Sequence, residues 1–180
     1  MNRTIINKIN FKIKIARIRN IPKKNDLALW VSWLNNKKTS IYSNRQFKKH
    51  TVNSQKNFIK NKLNINKSIL FKIIYNKIFI GIVEIDKIDL NHNHCEIGFM
   101  IGNTKYMNRG FATKAIKLLI KFCKKKKLRM LYGISYSKNK ASIKVFVKNG
   151  FKKVAKIKNY FQLKNSNKKD DMLFFIKNLR

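Results

Sequence analysis

Tyr106 to Ile116 reads YMNRGFATKAI. Two small residues, Gly110 and Ala112, stand where a basic, partly aromatic segment gives way to an apolar-periodic run. From Gly110 to Lys127 the positions Ala112, Ala115, Ile116, Leu119, Ile120 and Cys123 fall on one helical face, with Lys114, Lys117 and Lys121 opposite. The chain has only six glycines, and glycine inside a helix costs about 1 kcal/mol relative to alanine. A glycine at the helix entrance therefore points to something that must approach the backbone closely, and at a helix N-terminus that is most often a phosphate.

The elements on either side place this turn in a larger pattern. Phe11 to Arg19 alternates apolar and basic residues and predicts a strand. Asn25 to Leu34 predicts a helix, with Asn25 or Asp26 as N-cap and an apolar face of Leu27, Trp30, Val31 and Leu34. Asn53 to Leu63 predicts a second, shorter helix. Strands follow at Ser68 to Tyr75, Ile78 to Asp86 and Cys95 to Ile101, with turns at Asn76-Lys77 and Asn91 to His94. After the Gly110 helix, Leu128 to Ser135 predicts a strand. Asn139 to Asn149 is ambiguous: Ile143, Val145 and Val147 alternate as in a strand, yet Asn139 can cap a helix and Asn149-Gly150 can end one. Two strands, Phe151 to Ile157 and Met172 to Ile176, close an order that is mixed α/β with a central antiparallel meander.

Composition narrows the class. A chain of 180 residues with 44% hydrophobic and 12% aromatic content can bury a core and reads as one domain. Apolar runs are broken by Lys too often to span a membrane, and the N-terminal MNRTIINKINFKIKIARIRN lacks the uninterrupted apolar region of a signal peptide. Cys95 and Cys123 are expected as free thiols, and the location as cytoplasmic. The net charge of +36 would suit a polyanion-binding protein. Only seven of the 43 basic residues are Arg, however, and Lys, Asn and Ile abound while Gly, Ala and Pro are scarce. That is the imprint of a genome poor in G and C, and no specific nucleic-acid partner and no membrane partner are expected. The field would still draw in an anionic small molecule.

In chain order stand EIGFMIG, a loop, NRGFAT opening a long helix, Asn139 and Ser142 as N-x-x-S, and Lys148 to Phe151 as K-x-G-F. From about Ile78 to Lys152 this resembles the GNAT superfamily of acyl-CoA N-acyltransferases. The resemblance implies a single domain over residues 1–180, with a mixed, mostly antiparallel sheet of about seven strands flanked by about four helices. It implies acetyl-CoA as acyl donor, with no metal. The turn Asn108, Arg109, Gly110, Phe111, Ala112 and Thr113 would hold the pyrophosphate. Phe99, Met100 and Ile101, in the strand from Gly98, would lie beside the pantetheine arm, and Asn139 and Ser142 would touch the donor from the next helix. Two positions depart from the family pattern. Met107 stands where Gln or Arg is common, and Phe146 stands where many members have a Tyr that protonates the thiolate. A thiol pKa near about 8.5 makes thiolate a tolerable leaving group without it.

The resemblance also frames the chemistry. The acceptor ammonium must lose a proton, and in a chain with seven acids the candidate bases are Glu96, at the head of EIGF, and Glu84 in the neighbouring strand. His92 is a candidate proton relay. His92, His94 and Cys95 have a spacing that could ligate a metal, but no fourth partner is evident. Ile41 to Thr51 (IYSNRQFKKHT) falls where the acceptor pocket is shaped and looks like segments of amino-sugar-nucleotide acetyltransferases, with Arg45 and His50 suited to a sugar diphosphate. The rest of the chain is equally similar to ribosomal-protein N-terminal acetyltransferases, and a non-catalytic acyl-CoA-binding or polyanion-binding module is the reading of another class. Oligomeric state is not legible.

If the charge is compositional, DNA binding should be confined to low salt and show no sequence preference. Each phosphate neutralised on duplex DNA steepens the dependence of log affinity on log salt by about 0.9. A salt titration of duplex binding that retains tight, selective binding at physiological ionic strength would contradict this.

Overall fold

Alternating Ile and Lys at the start of the described chain puts one face of β1 (Ile13–Arg17) on the core and the other in solvent. The computed structural model describes residues 13–164 and 166–179; Phe11 and Lys12 of the expected first strand lie outside them. The order continues α1 (Lys24–Asn35), α2 (Lys37–Ser40), a 3₁₀ turn (Asn44–Phe47), α3 (Val52–Asn64), β2 (Ile69–Tyr75), β3 (Ile78–Asp89) and β4 (His94–Ile101). After a second 3₁₀ turn (Thr104–Tyr106) come α4 (Phe111–Lys125), β5 (Met130–Tyr136), α5 (Lys140–Lys148), β6 (Lys152–Gln162) and β7 (Lys169–Asn178). Five α-helices thus flank the sheet where four were expected, the extra one being the single turn α2.

The seven strands form one sheet in the order β1-β2-β3-β4-β5-β7-β6. Every pairing is antiparallel except β4 with β5. The β2–β3 hairpin turns on Asn76 and Lys77, both left-handed (φ 45° and 67°), as a tight hairpin with right-handed twist requires. Lys87, Asn93, Asn108, Lys127 and Asn159 are also left-handed. Helices cover both faces. On one, α4 and α5 bury Phe111, Ala115, Ile116, Leu119 and Phe146 against Ile80, Val83, Ile97 and Leu131. On the other, Leu27, Trp30, Trp33 and Leu34 of α1 and Ile59 of α3 pack on Leu70, Phe79 and Ile82. No helix among the described residues is long and apolar enough to cross a membrane.

Three local expectations change. The N-cap of α1 is Lys23, without a side-chain bond, rather than Asn25 or Asp26. Asp26 lies in the first turn, favourable to the helix dipole, and pairs with Lys72 across to β2. The ambiguous segment is a helix: the Asn139 side chain accepts the Ser142 N–H at 3.0 Å, and Gly150 follows its end at φ 75°. β6 runs to Gln162, with Phe161 its one buried residue, so as an edge strand it lacks the apolar alternation that would have marked its length.

Phe146 has a structural task. Its ring stacks on Phe175 (centroids 4.9 Å apart) and meets Phe99 of β4 and Phe151 edge-on. A Cβ at Gly133 of β5 would lie 2.6 Å from its Cζ, so Gly133 exists to admit the ring. Phe146→Ala should therefore cost about 3–5 kcal/mol in urea unfolding, with Phe146→Leu well below that. An unchanged midpoint in the alanine variant would remove the ring from this role.

Candidate active site

β4 and β5 run side by side for three pairs only: His94 with Met130, Cys95 with Leu131, and Glu96 with Tyr132. Beyond Glu96, β4 stays bonded to β3 as far as Ile101, and β5 to β7 as far as Tyr136, but no ladder pairing joins the two. Phe146 reaches from α5 to Phe99 on one strand and Gly133 on the other, where they separate. The result is a cleft of about 920 Å³ whose walls include Ile97 to Ile101, Ile134 to Tyr136 and the first turns of α4 and α5. Strand edges left open in this way offer N–H and C=O groups to an extended ligand.

Gly110 stands at the mouth as the N-cap of α4, at φ 80°. A Cβ built there would meet nothing within 4 Å, so the left-handed backbone is what demands glycine, and open space faces it. Lys114 donates to the Gly110 carbonyl at 3.1 Å to start the helix, and the N–H groups of a first turn lack intrahelical acceptors. Asn108, also left-handed, lines the cleft with Met107, Phe111, Ala112 and Thr113. Arg109 does not: its guanidinium lies over the Tyr106 and Phe111 rings and bonds the Lys105 carbonyl. Asn139 and Ser142 line the cleft as expected, although the Asn139 oxygen is engaged as a helix cap. Lys140, Lys144 and Lys148, one helical turn apart along α5, line it too. In a chain so rich in Lys only the observed helix singles these three out.

The acids sort sharply. Asp26 pairs with Lys72, Asp86 with Lys62 and Ser68, Asp89 with His92, Glu96 with Lys87 (2.7 Å) and Asp171 with Lys156, while Asp170 bonds Ser137 and the Lys138 N–H. Of these acids only the Glu84 carboxylate has no hydrogen bond or ion pair among the described residues, and its Oε2 is buried without a partner. Burial lifts its pKa above the usual 4.5, and Arg45 and Lys62 offset this in part. Glu84 faces Gly98 across the β3–β4 ladder, and a Cβ at Gly98 would come within 2.8 Å of its Oε1. Glu84 and Glu96 both line the cleft on the side of α1 and α3.

That side is completed by Lys38, Thr39, Tyr42, Asn44 and Arg45 from the segment after α1. Tyr136 donates to Asn44 at 3.3 Å, and burial raises its pKa, so its phenol keeps its proton. His50 is not part of the cleft. Its Nε2 meets the Arg45 carbonyl at 3.0 Å and its backbone is clasped by Asn35, so it shapes the loop that carries Arg45. His92 lies outside the cleft as well, in the exposed turn after β3, bonded to Asp89. Cys95 is buried beside Cys123 in the core.

A mixed sheet parted between parallel strands, with a glycine-led helix at its mouth, is the frame of an acyl-CoA N-acyltransferase. The chain belongs to the GNAT acetyltransferase family: the model described as an acetyltransferase (GNAT) domain matches residues 17–152. It is an N-acetyltransferase that uses acetyl-CoA as donor and acts on amines. No curated protein matches by sequence. Among solved structures, spermidine N-acetyltransferase from Vibrio cholerae in complex with CoA and spermine superposes with TM-score 0.80 at 16% identity, covering 93% of this chain and 95% of that one. The ribosomal L7/L12 α-N-protein acetyltransferase RimL with coenzyme A gives 0.78 at 11%, covering 92% and 93%. The microcin C7 self-immunity acetyltransferase MccE with acetyl-CoA and AMP gives 0.74 at 18%, covering 92% of each. At these identities the likeness is one of fold.

The raised pKa of Glu84 fixes a sign. Below the ordinary carboxyl value both folded and unfolded chains hold the proton. As pH rises through it the unfolded chain ionises first, and the fold loses stability until Glu84 ionises too. Glu84→Gln should thus be more stable than the wild type at pH 7, and the gap should close as pH falls to about 4. Denaturation at a series of pH values checks this; a constant gap would contradict it.

Proposed function

We propose that the enzyme acetylates a primary amine carried on an anionic molecule, with Glu84 as the base. The observation that carries this reading is that one unpaired buried carboxylate lines the acceptor half of the cleft together with Lys38 and Arg45. A polycationic acceptor such as a polyamine would need several free carboxylates there, and Glu96 is already neutralised by Lys87. An amino-sugar nucleotide is the anionic acceptor that the Ile41–Thr51 segment suggests.

Donor-side residues fit acetyl-CoA. Asn108, Gly110, Ala112 and Thr113 would hold the pyrophosphate on the α4 N-terminus, and Lys140, Lys144 and Lys148 would add positive charge beside the phosphates. Phe99, Met100 and Ile101 would flank the pantetheine arm. The donor supplies an acetyl thioester, and a backbone N–H of the open β4 edge would donate to the oxygen on which charge develops. Glu84 takes the ammonium proton, directly or through a water, and the amine then attacks the thioester carbon while thiolate leaves. An alkylamine with pKa near about 10.4 is almost wholly protonated at neutral pH, so a positioned base contributes about a hundredfold or more. Phe146 has no proton to give, and no general acid is assigned.

Thiol release from acetyl-CoA, followed over a panel of amino-sugar nucleotides, peptides with free N-termini and polyamines, tests the reading. Glu84→Gln should lower kcat about a hundredfold, with recovery at high pH and unchanged donor affinity. Arg45→Ala should raise KM for the anionic acceptor about tenfold, near 1.4 kcal/mol. Turnover confined to peptides would select the protein N-terminal alternative, and turnover of polyamines would refute the anionic acceptor. Donor binding without turnover of any amine would favour a non-catalytic acyl-CoA-binding module.

A further inference from the structure

The β3–β4 hairpin carries Glu84, Asp86, Asp89 and Glu96, four of the seven acids in the chain. At its far end Asp89 pairs with His94 across the ladder, and His92 stands in the turn between them. Asp89 Oδ2 accepts from His92 Nδ1 at 3.0 Å and lies 3.9 Å from His94 Nε2. One donor atom from each of the three residues falls within 4.8 Å of the others. The two imidazoles are nearly parallel, 20° apart with centroids separated by 5.9 Å. Among the described residues the His94 ring makes no hydrogen bond, and its Nδ1 is buried without a partner. None of the three lines the catalytic cleft.

We propose that Asp89, His92 and His94 form a zinc site that clamps the β3–β4 turn. Two imidazoles and a carboxylate are the donor set of zinc or another late transition metal, and too rich in nitrogen for magnesium or calcium. Tetrahedral zinc at about 2.1 Å from each ligand puts the donor atoms about 3.4 Å apart. The two separations to Asp89, 3.0 and 3.9 Å, bracket that spacing, and with all three donor atoms within 4.8 Å of one another, side-chain rotations can bring them around one ion. Water would take the fourth position. Cys95, beside these residues in sequence, belongs to the core and does not contribute; the third ligand is Asp89, brought in by the hairpin register.

The location gives the ion a consequence. The Asn93 carbonyl accepts the Arg129 N–H at 2.7 Å and the Met130 N–H at 3.2 Å, so this turn anchors the start of β5. It closes the end of the sheet at which β4 and β5 are still joined. An ion that fixes the turn would stiffen the join from which the cleft opens, independently of the transfer reaction.

Calorimetric titration of the untagged full-length chain with zinc, with cobalt as a visible-absorption probe, tests the site. The wild type should bind one equivalent and show a melting temperature that rises with zinc concentration. His92→Ala and Asp89→Ala should each lose binding and the zinc-dependent shift. Since His92 is exposed and its bond to Asp89 is a weak surface one, the metal-free melting temperature of its variant should stay within a few degrees of the wild type. His94→Gln should behave alike, and His50→Ala should keep the site. No binding by the wild type, binding that survives both His92→Ala and Asp89→Ala, or loss in His50→Ala would each overturn the proposal.

Discussion

The catalytic cleft of this molecule depends on the parting of two parallel strands after three pairs. A sheet normally continues its ladder because unpaired buried backbone groups are costly. Here a ring packs against both strands near the point where the ladder ends. Phe146 comes down from α5 between Phe99 and the bare backbone of Gly133, while β3 and β7 hold the outer edges of β4 and β5. The unpaired edges then need hydrogen-bonding partners, and the extended amide-bearing arm of coenzyme A is a molecule of the right kind to supply them. The same ring is a packing element, stacked on Phe175, and has no proton to give.

Charge supplies the second constraint. In a chain of net charge +36 a carboxylate is hard to leave without a cation, and six of the seven acids have ion-pair or hydrogen-bond partners among the described residues. Glu84 escapes because no cation among the described residues comes within ion-pair distance of it, while Gly98 leaves space for its oxygens. Its nearest cations act at longer range, through Arg45 and Lys62. A carboxylate kept unpaired and desolvated is less stable as an anion and gains proton affinity.

Period and punctuation made much of this legible in the sequence. α4 could be read because its apolar residues repeat at helical spacing behind a glycine, and the hairpin strands because Asn-Lys and Asn-rich turns separate alternating runs. α5 was ambiguous because nine residues hold too few periods to separate spacing of two from spacing of 3.6. α2 and the 3₁₀ turns, each four residues or fewer, have no period at all. The site was legible where it follows the chain, at Gly110, Asn139 and Ser142, and illegible where it depends on folding across it. Nothing local says that His50 buttresses a loop while Arg45 lines the cleft. Nothing local says that Lys87 takes Glu96, leaving Glu84 free, and the α5 lysines are lost among many others.

The left-handed residues carry a wider consequence. Of the seven non-glycine positions at positive φ among the described residues, four are Asn and three are Lys. Asn tolerates that region through local bonding of its short amide, whereas Lys pays roughly 1 kcal/mol or more for it. These are turn positions and, at Lys87 and Asn159, irregularities within strands, which glycine would fill without strain, in a protein that holds only six glycines. A chain poor in glycine thus bends at Asn and Lys instead, and its sharp corners survive at the expense of their ease.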